Sequence, residues 1–224
     1  MDIGGSGLKA SLIDDAGRLM VPRLRVDTPV GQPPRQLVQA LVRLVAPLRG
    51  YDRVAVGFPG VVRRGRVFTA VNLRHESWKG FDLGHALAQA LGKPVRVAND
   101  ADMQGLAAIK GKGVEVVITL GTGFGTGLYL DGRLAPHLEL GHHPFRKGET
   151  YEEQLGNDAL HRVGTRKWNR RLKKAIRTLR TLTTFDHLYI GGGNARNVRL
   201  ELESDVSLID NDAGLRGGAA LWKD

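Results

Sequence analysis

The 224-residue chain has no cysteine, which excludes disulfides and thiolate-held zinc and agrees with a reducing, cytoplasmic compartment. No stretch approaches the ~20 apolar residues of a membrane span, and no charged n-region with an apolar h-region stands at the start. The chain therefore reads as soluble and globular, without a membrane partner. Tracts of low complexity and repeats of solenoid period are also missing. Acid is absent from one segment: His161 to Arg180 holds nine Lys/Arg and no Asp or Glu, while the rest carries 24 basic against 23 acidic residues. The net charge of +10 is thus local to one segment.

What is present is glycine at regular spacing. Gly121-Thr122-Gly123-Phe124-Gly125-Thr126-Gly127 separates the β-branched run Val114–Leu120 from an extended run ending at the turn Asp131-Gly132. Such a turn leaves backbone N–H groups open to an anion. A dinucleotide fingerprint would need G-x-G-x-x-G and then a helix. Here the chain goes back into a strand, so the pattern is a strand–turn–strand phosphate loop. A second copy opens the chain: Asp2-Ile3-Gly4-Gly5-Ser6-Gly7-Leu8-Lys9 runs into a strand over Leu8 to Ile13. Only Met1 to Ile3 precede its first glycine, a short first strand that leaves room for native residues ahead of it. The two units suggest two related lobes around a cleft.

The remaining pattern alternates strand and helix. Pro33-Pro34 open a helix with one wide apolar face. Arg53 to Phe58 reads as a buried strand, Val61 to Val67 as a basic hairpin, and Leu83 to Leu91 as a helix stopped by Gly92. The strand Val95 to Ala98 leads to Asn99-Asp100, and a helical pattern runs from Asp100 to Gly111-Lys112-Gly113. That junction divides an N-terminal lobe, 1–110, from a C-terminal lobe, 111–224, whose last helix could pack back on the first. Glu139 to His143 and a polar stretch to Gly156 precede the basic helix. A strand from His187 to Ile190, the glycine run Gly191-Gly192-Gly193, a strand near Val206 to Ile209 and a helix from about Ala213 complete the chain.

Two places could carry chemistry. Asp100 stands where a strand gives way to a helix, and alone it reads as an N-cap. With Asn99 and Asp102, at the C-terminal end of a strand where open α/β sheets place ligands, it reads as a base for a hydroxyl nucleophile. Glu139 and His142 are a poor metal pair, since H-E-x-x-H and a third ligand are lacking. A carboxylate and an imidazole do suit the vicinal hydroxyls of a sugar.

These segments, together with Gly57-Phe58-Pro59-Gly60-Val61-Val62 and Val71-Asn72-Leu73, occur in an order that resembles the ROK family of sugar kinases, closest to its polyphosphate glucokinase branch. The resemblance covers nearly the whole chain. It implies an α/β protein of actin-like ATPase (ribonuclease H-like) fold, commonly a homodimer, that phosphorylates the 6-hydroxyl of glucose, or of mannose, with polyphosphate, ATP or both. It further implies Asp100 as catalytic base, and Asn99, Glu139, His142, Gly60 and Asn72 as sugar contacts. Gly4, Gly5, Ser6, Gly7 and Lys9, with Gly121, Thr122, Gly123 and Gly125, match the phosphate motifs. Asp2 resembles the acid near Mg2+, and Gly191, Gly192 and Gly193 border an adenosine site in ATP-using relatives. Most ROK kinases carry a cysteine-rich zinc motif that this chain and the polyphosphate branch lack, so no structural zinc is expected. The sugar glutamate that follows the motif falls to Glu149, Glu152 or Glu153, with Glu152 the best match.

The basic helix has three readings: a solvated face, a nucleic-acid surface, or a polyphosphate track formed by Arg166, Lys167, Arg170, Arg171, Lys173 and Lys174. The kinase motifs favour the track, and nucleic acid ranks last because the one aromatic there, Trp168, stands at a core position. The rival functions are a ROK kinase for another hexose or amino sugar, and a non-catalytic sugar- or polyanion-binding protein.

Overall fold

The computed structural model describes residues 1–209 and 213–223. The chain divides into two compact units, Met1–Ala107 together with Gly214–Asp224, and Ala108–Ala213.

The first unit contains β1 (Asp2–Ile3), β2 (Leu8–Ala10), β3 (Leu24–Val26), α1 (Pro34–Val45), β4 (Val54–Phe58), β5 (Val62–Arg63), β6 (Arg66–Val67), α2 (Leu83–Leu91), β7 (Val95–Asn99) and α3 (Asp100–Leu106). Five of these strands form a sheet in the order β3-β2-β1-β4-β7. β1 pairs antiparallel with β2 and parallel with β4, which in turn pairs parallel with β7. Pro34, with φ preset, starts α1, which buries Leu37, Val38, Leu41, Leu44 and Val45 on one face. Asp82 caps α2 by accepting the His85 N–H at 3.0 Å, and Gly92 ends it in the left-handed conformation at φ 62°. Ile3, Leu8, Leu41, Phe58, Leu73, Trp78, Leu83 and Leu87 form the core of this unit.

The second unit holds β8 (Val114–Leu120), β9 (Phe124–Leu130), β10 (Arg133–Leu134), β11 (Pro144–Arg146), β12 (Glu149–Thr150), α4 (Tyr151–Leu155), α5 (Asn157–Thr183), β13 (His187–Gly191) and β14 (Val206–Leu208). Its five-stranded sheet runs β10-β9-β8-β13-β14, with β8 antiparallel to β9 and parallel to β13. The wiring repeats that of the first unit: a strand–glycine turn–strand hairpin whose first strand continues the sheet through parallel neighbours. Val116, Ile118, Leu120, Trp168, Leu172, Leu179, Leu188 and Ile190 form the second core. The indole N–H of Trp168 donates to the Leu155 carbonyl at 2.9 Å, tying α5 to α4. The helix α5 breaks at Gly164, where φ is 74° and ψ 160°.

A last helix, α6 (Ala213–Ala220), belongs to the first unit from Gly214 onward. A side chain at Gly217 would collide with the Met103 carbonyl, so only glycine lets α6 come this close to α3. After the helix, Trp222 lies under the Arg96 guanidinium at 4.6 Å, and Arg96 donates to the Leu221 carbonyl at 2.9 Å.

Candidate active site

In the first unit, the parallel strands bring Asp2, Asn99 and Asp100 to one end of the sheet. β1 and β7 both flank β4, whose register matches Asp2 with Gly57 and Phe58 with Asn99. Gly57 lies between the two acidic positions: a Cβ there would stand 3.6 Å from Asp2 Oδ1 and 3.5 Å from the Asp100 Cα, in ordinary contact, and 2.8 Å from the Met103 Cε. The N-cap of α3 is Asn99 rather than Asp100. Asn99 Oδ1 accepts the Ala101 and Asp102 N–H groups at 2.8 and 3.3 Å, and Nδ2 donates to the Gly60 carbonyl at 3.1 Å. The amide keeps one N–H for a ligand. Asp100 is the first helical residue, with Oδ1 accepting the Ala101 N–H at 2.8 Å. The capping role that its place in the sequence suggests thus belongs to its neighbour.

The glycine turn Gly4–Gly7 closes on itself through Gly4 N–H to the Gly7 carbonyl, 3.0 Å, and is held by Thr28 Oγ1 donating to the Gly4 carbonyl at 2.6 Å. Asn72 packs beside it, its Cβ 3.7 Å from where a side chain on Gly5 would begin. Lys9 Nζ lies 3.4 Å from Asp2 Oδ2. Arg25 was not singled out from the sequence, yet its Nε would be 2.9 Å from a Cβ on Gly7. The only signal for it is the strand pairing that sets Lys9 opposite Arg25.

The second unit assembles a different set. Glu139 Oε1 accepts the Gly141 N–H at 3.1 Å and lies 3.7 Å from His142 Nδ1, while His142 Nε2 lies 3.9 Å from Glu152 Oε2. The imidazole thus stands between two carboxylates. Burial opposes ionisation of Glu139, but the His137 hydrogen bond and the charges of His137 and His142 outweigh it and hold this carboxyl below its usual range. Glu152 goes the other way: burial raises it, and Glu139 and Glu153 add to the shift against the pull of His142. The neighbouring acids are engaged elsewhere. Glu153 forms a capping box with Thr150, and Glu149 accepts from Gln154 and lies 3.4 Å from Arg162 Nη2.

The glycine turn Gly121–Gly125 borders this cluster. A Cβ on Gly123 would fall on Glu152 Oε2, and one on Gly141 would meet the Phe124 carbonyl at 2.7 Å. The Asn157 N–H donates to the Gly121 carbonyl at 2.9 Å and the Asn194 N–H to that of Leu120 at 2.8 Å. Gly192, at φ 85°, lies so close to Leu120 that a side chain would overlap its backbone. Within this unit Gly121–Gly125, Glu139, His142, Glu152 and Gly191–Gly193 therefore form one constellation. His137, another residue the sequence did not mark, has Nε2 3.4 Å from Glu139 Oε2. Of the basic-helix residues, Arg166, Arg170 and Lys173 share one exposed face of α5, and Lys167, Arg171 and Lys174 lie on the adjacent row. A cavity of about 490 Å³ is lined by Leu12, Ile13, Val54, Ala55 and Trp222 and contains none of the candidate residues.

Each unit thus sets a glycine turn near acidic side chains, and comparison with known proteins gives that arrangement a family. Residues 1–156 match the model of the ROK family, and the chain belongs to that family. It is 30% identical over 236 residues to the polyphosphate glucokinase of Mycobacterium tuberculosis (strain CDC 1551 / Oshkosh), covering 98% of this chain and 88% of the relative. Among solved structures, it resembles the inorganic polyphosphate/ATP-glucomannokinase of Arthrobacter sp. strain KM with TM-score 0.86 and 32% identity, over 97% of this chain and 94% of that one. A ROK family glucokinase of Streptomyces griseus, solved with glucose and AMPPNP, has TM-score 0.83 at 21% identity over 98% and 97% of the two chains, and so supports the fold. The fold is accordingly that of the ROK sugar kinases, an α/β actin-like ATPase fold.

Proposed function

We propose that this ROK protein is a glucokinase that transfers a phosphoryl group from polyphosphate or ATP to the 6-hydroxyl of glucose, with mannose as a second acceptor. The observation that carries the reading is the Glu139–His142–Glu152 cluster packed against a glycine turn, in a chain 30% identical to a polyphosphate glucokinase. The two carboxylates and the imidazole bind sugar hydroxyls, and Asn99, Gly60 and Asn72 complete the sugar contacts. Asp100 accepts the hydroxyl proton as the sugar oxygen forms its bond to the terminal phosphorus in line. The bridging P–O bond breaks, and the electron pair leaves with the shortened polyphosphate or ADP. Backbone N–H groups of Gly4–Gly7 and Gly121–Gly125, with Ser6, Thr122 and Lys9, stabilise the transferring group.

Among the described residues no group of three or more His, Cys, Asp or Glu side chains is placed to hold a metal ion. Asp2, whose carboxylate is one-fourth exposed, supplies a single hard oxygen. That fits Mg2+, which keeps most of its waters and takes donor phosphate oxygens instead of a protein cage. When bound, the ion would neutralise phosphate charge. Gly191–Gly193 would border the adenosine of ATP, and the cations of α5 would track polyphosphate. The reading takes the protein as a cytoplasmic homodimer, which sedimentation and fractionation test. The direct test is a Mg2+-dependent glucose phosphorylation assay with ATP and polyphosphate side by side. Product from polyphosphate supports the reading; absence of transfer from either donor to any hexose overturns it.

A further inference from the structure

The acid-free segment does not form one uniform basic surface. Past the break at Gly164, α5 buries Trp168, Leu172, Ala175, Ile176 and Leu179 on one face. Opposite that face stand Arg166, Arg170, Lys173 and Arg177, four, three and four residues apart and all exposed. On an α-helix this spacing makes a straight row about 16 Å long. Two cations of the second row are committed to their own unit: Arg171 Nη1 donates to the Gln154 carbonyl at 3.1 Å, and Lys174 Nζ lies 5.6 Å over the Phe145 ring. Nothing comparable holds the outer row; among the described residues none of its four cations has a carboxylate partner.

The outer row is unfavourable for the helix that carries it. Arg166 sits in the first turn after the break, where the helix dipole disfavours cations. Arg166/Arg170 and Lys173/Arg177 are like-charge i,i+4 pairs, which destabilise a helix. A row that costs helix stability and has no partner in its own fold is the kind of local inconsistency that marks a binding surface.

We infer that Arg166, Arg170, Lys173 and Arg177 form a linear anion rail that holds several consecutive phosphates of a long polyphosphate chain away from the transferred end. Arg171 and Lys174 belong to the scaffold and not to the rail. This rests on the polyphosphate-using reading above. The occupant is a linear polyphosphate because the row is straight, evenly charged and without an aromatic side chain: Trp168 is fully buried, so no platform is left for stacking bases. The rail makes affinity depend on donor length. A row about 16 Å long exceeds the reach of three phosphates, so ATP and tripolyphosphate cannot engage all four cations.

The test uses the full chain and the variant R166Q/R170Q/K173Q/R177Q, with K79Q/K93Q/K112Q as a control for the loss of exposed charge elsewhere. Binding of end-labelled long-chain polyphosphate is measured without turnover across a salt series. Loss of four phosphate contacts should weaken it about tenfold or more at low salt and reduce the log–log salt slope by about 3. The ratio of kcat/KM for long-chain polyphosphate to that for ATP should fall to match, and the control should keep the wild-type ratio. An unchanged slope and ratio in the rail variant, or an equal fall with ATP and tripolyphosphate, overturns the rail. Equal binding of single-stranded homopolymeric DNA, lost in the same variant, overturns the polyphosphate assignment. If the wild type uses no donor yet binds polyphosphate through these four residues, the kinase reading fails and the rail stands.

Discussion

Replacing Gly123 by alanine tests how the second glycine turn and the proposed sugar carboxylate Glu152 are joined. Gly123 is not among the residues with positive φ, so alanine is permitted by the backbone. The new methyl would fall on Glu152 Oε2 and stand 2.9 Å from Cδ. Only the end of a flexible side chain has to move, so the fold should lose little: less than about 1 kcal/mol, or a Tm shift of a few degrees at most. The carboxylate, however, leaves its place beside His142. A hydrogen bond from a sugar hydroxyl to a charged group is worth about 1.5–3 kcal/mol, so kcat/KM for glucose should fall roughly 10- to 150-fold. The decisive comparison is a cycle of G123A, E152A and the double variant, followed by steady-state phosphorylation and thermal melts. Once Glu152 is truncated the methyl has nothing to displace, so the double variant should match E152A within about twofold. Wild-type kcat/KM in G123A, or a double variant that shows the sum of both losses, would refute the reasoning.

The other expectations concern the base, a buried anchor and the pH response. Asp100→Asn should lower kcat by about 10²- to 10⁴-fold while calorimetry shows glucose binding retained; wild-type turnover would remove Asp100 from the role of base. Glu115 is 1% exposed and accepts the N–H groups of Lys110, Gly111 and Lys112 at 2.6, 2.7 and 3.1 Å and the Tyr189 hydroxyl at 2.9 Å. Glu115→Ala should cost about 3 kcal/mol, read as a Tm fall of roughly 6–12 °C, and Glu115→Gln about half that; an unchanged melt would show the loop needs no anchor. Glu139, held below its ordinary 4.5, contributes stability that is present above that value and is lost as pH falls through its folded value. Glu152, raised by burial, costs stability once pH exceeds its folded value. Glu139→Gln should therefore flatten the acid limb of a denaturation series, and Glu152→Gln should raise the neutral-pH melt. The opposite signs in either variant would contradict the cluster's electrostatics.

Much of the fold is legible because local signals agree with it. Pro34 and Gly92 bound helices as their chemistry requires, and Val-Glu-Val-Val-Ile-Thr-Leu forms β8. The strand expected over Leu8 to Ile13 is shorter, since β2 stops at Ala10 and Ile13 meets Leu19 only in an isolated bridge. The polar stretch before Gly156 contains α4, whose start was readable: Thr150-x-x-Glu153 is a capping box. Glu115 could not be read, because its partners come from a loop and from Tyr189, 74 residues away. The choice among Glu149, Glu152 and Glu153 turns on side-chain direction: Glu149 lies in β12, while Glu152 and Glu153 are consecutive in α4 and so differ by about 100°. Three acids in five positions therefore look alike in sequence and face three different partners in the fold.

The glycines themselves carry two jobs that a sequence cannot separate. Periodic glycine at Gly121, Gly123 and Gly125 reads as an anion cradle of open backbone N–H groups. In the fold, close approach to this turn also accounts for glycines far from it in sequence. A side chain at Gly141 would strike the Phe124 carbonyl, one at Gly156 the Thr122 carbonyl at 2.6 Å, and one at Gly192 the Leu120 backbone. Each lets a separate segment reach the turn: the strip bearing Glu139 and His142, the junction of α4 and α5, and the run after β13. Gly123 is the reciprocal case, leaving room for Glu152. Substituting Gly141, Gly156 or Gly192 should thus displace the Glu139–His142 strip, the helix junction or the Gly191–Gly193 run without touching any N–H of the turn. Substituting Gly121, whose Cβ would meet nothing within 4 Å, should be tolerated by packing and report on phosphate approach alone.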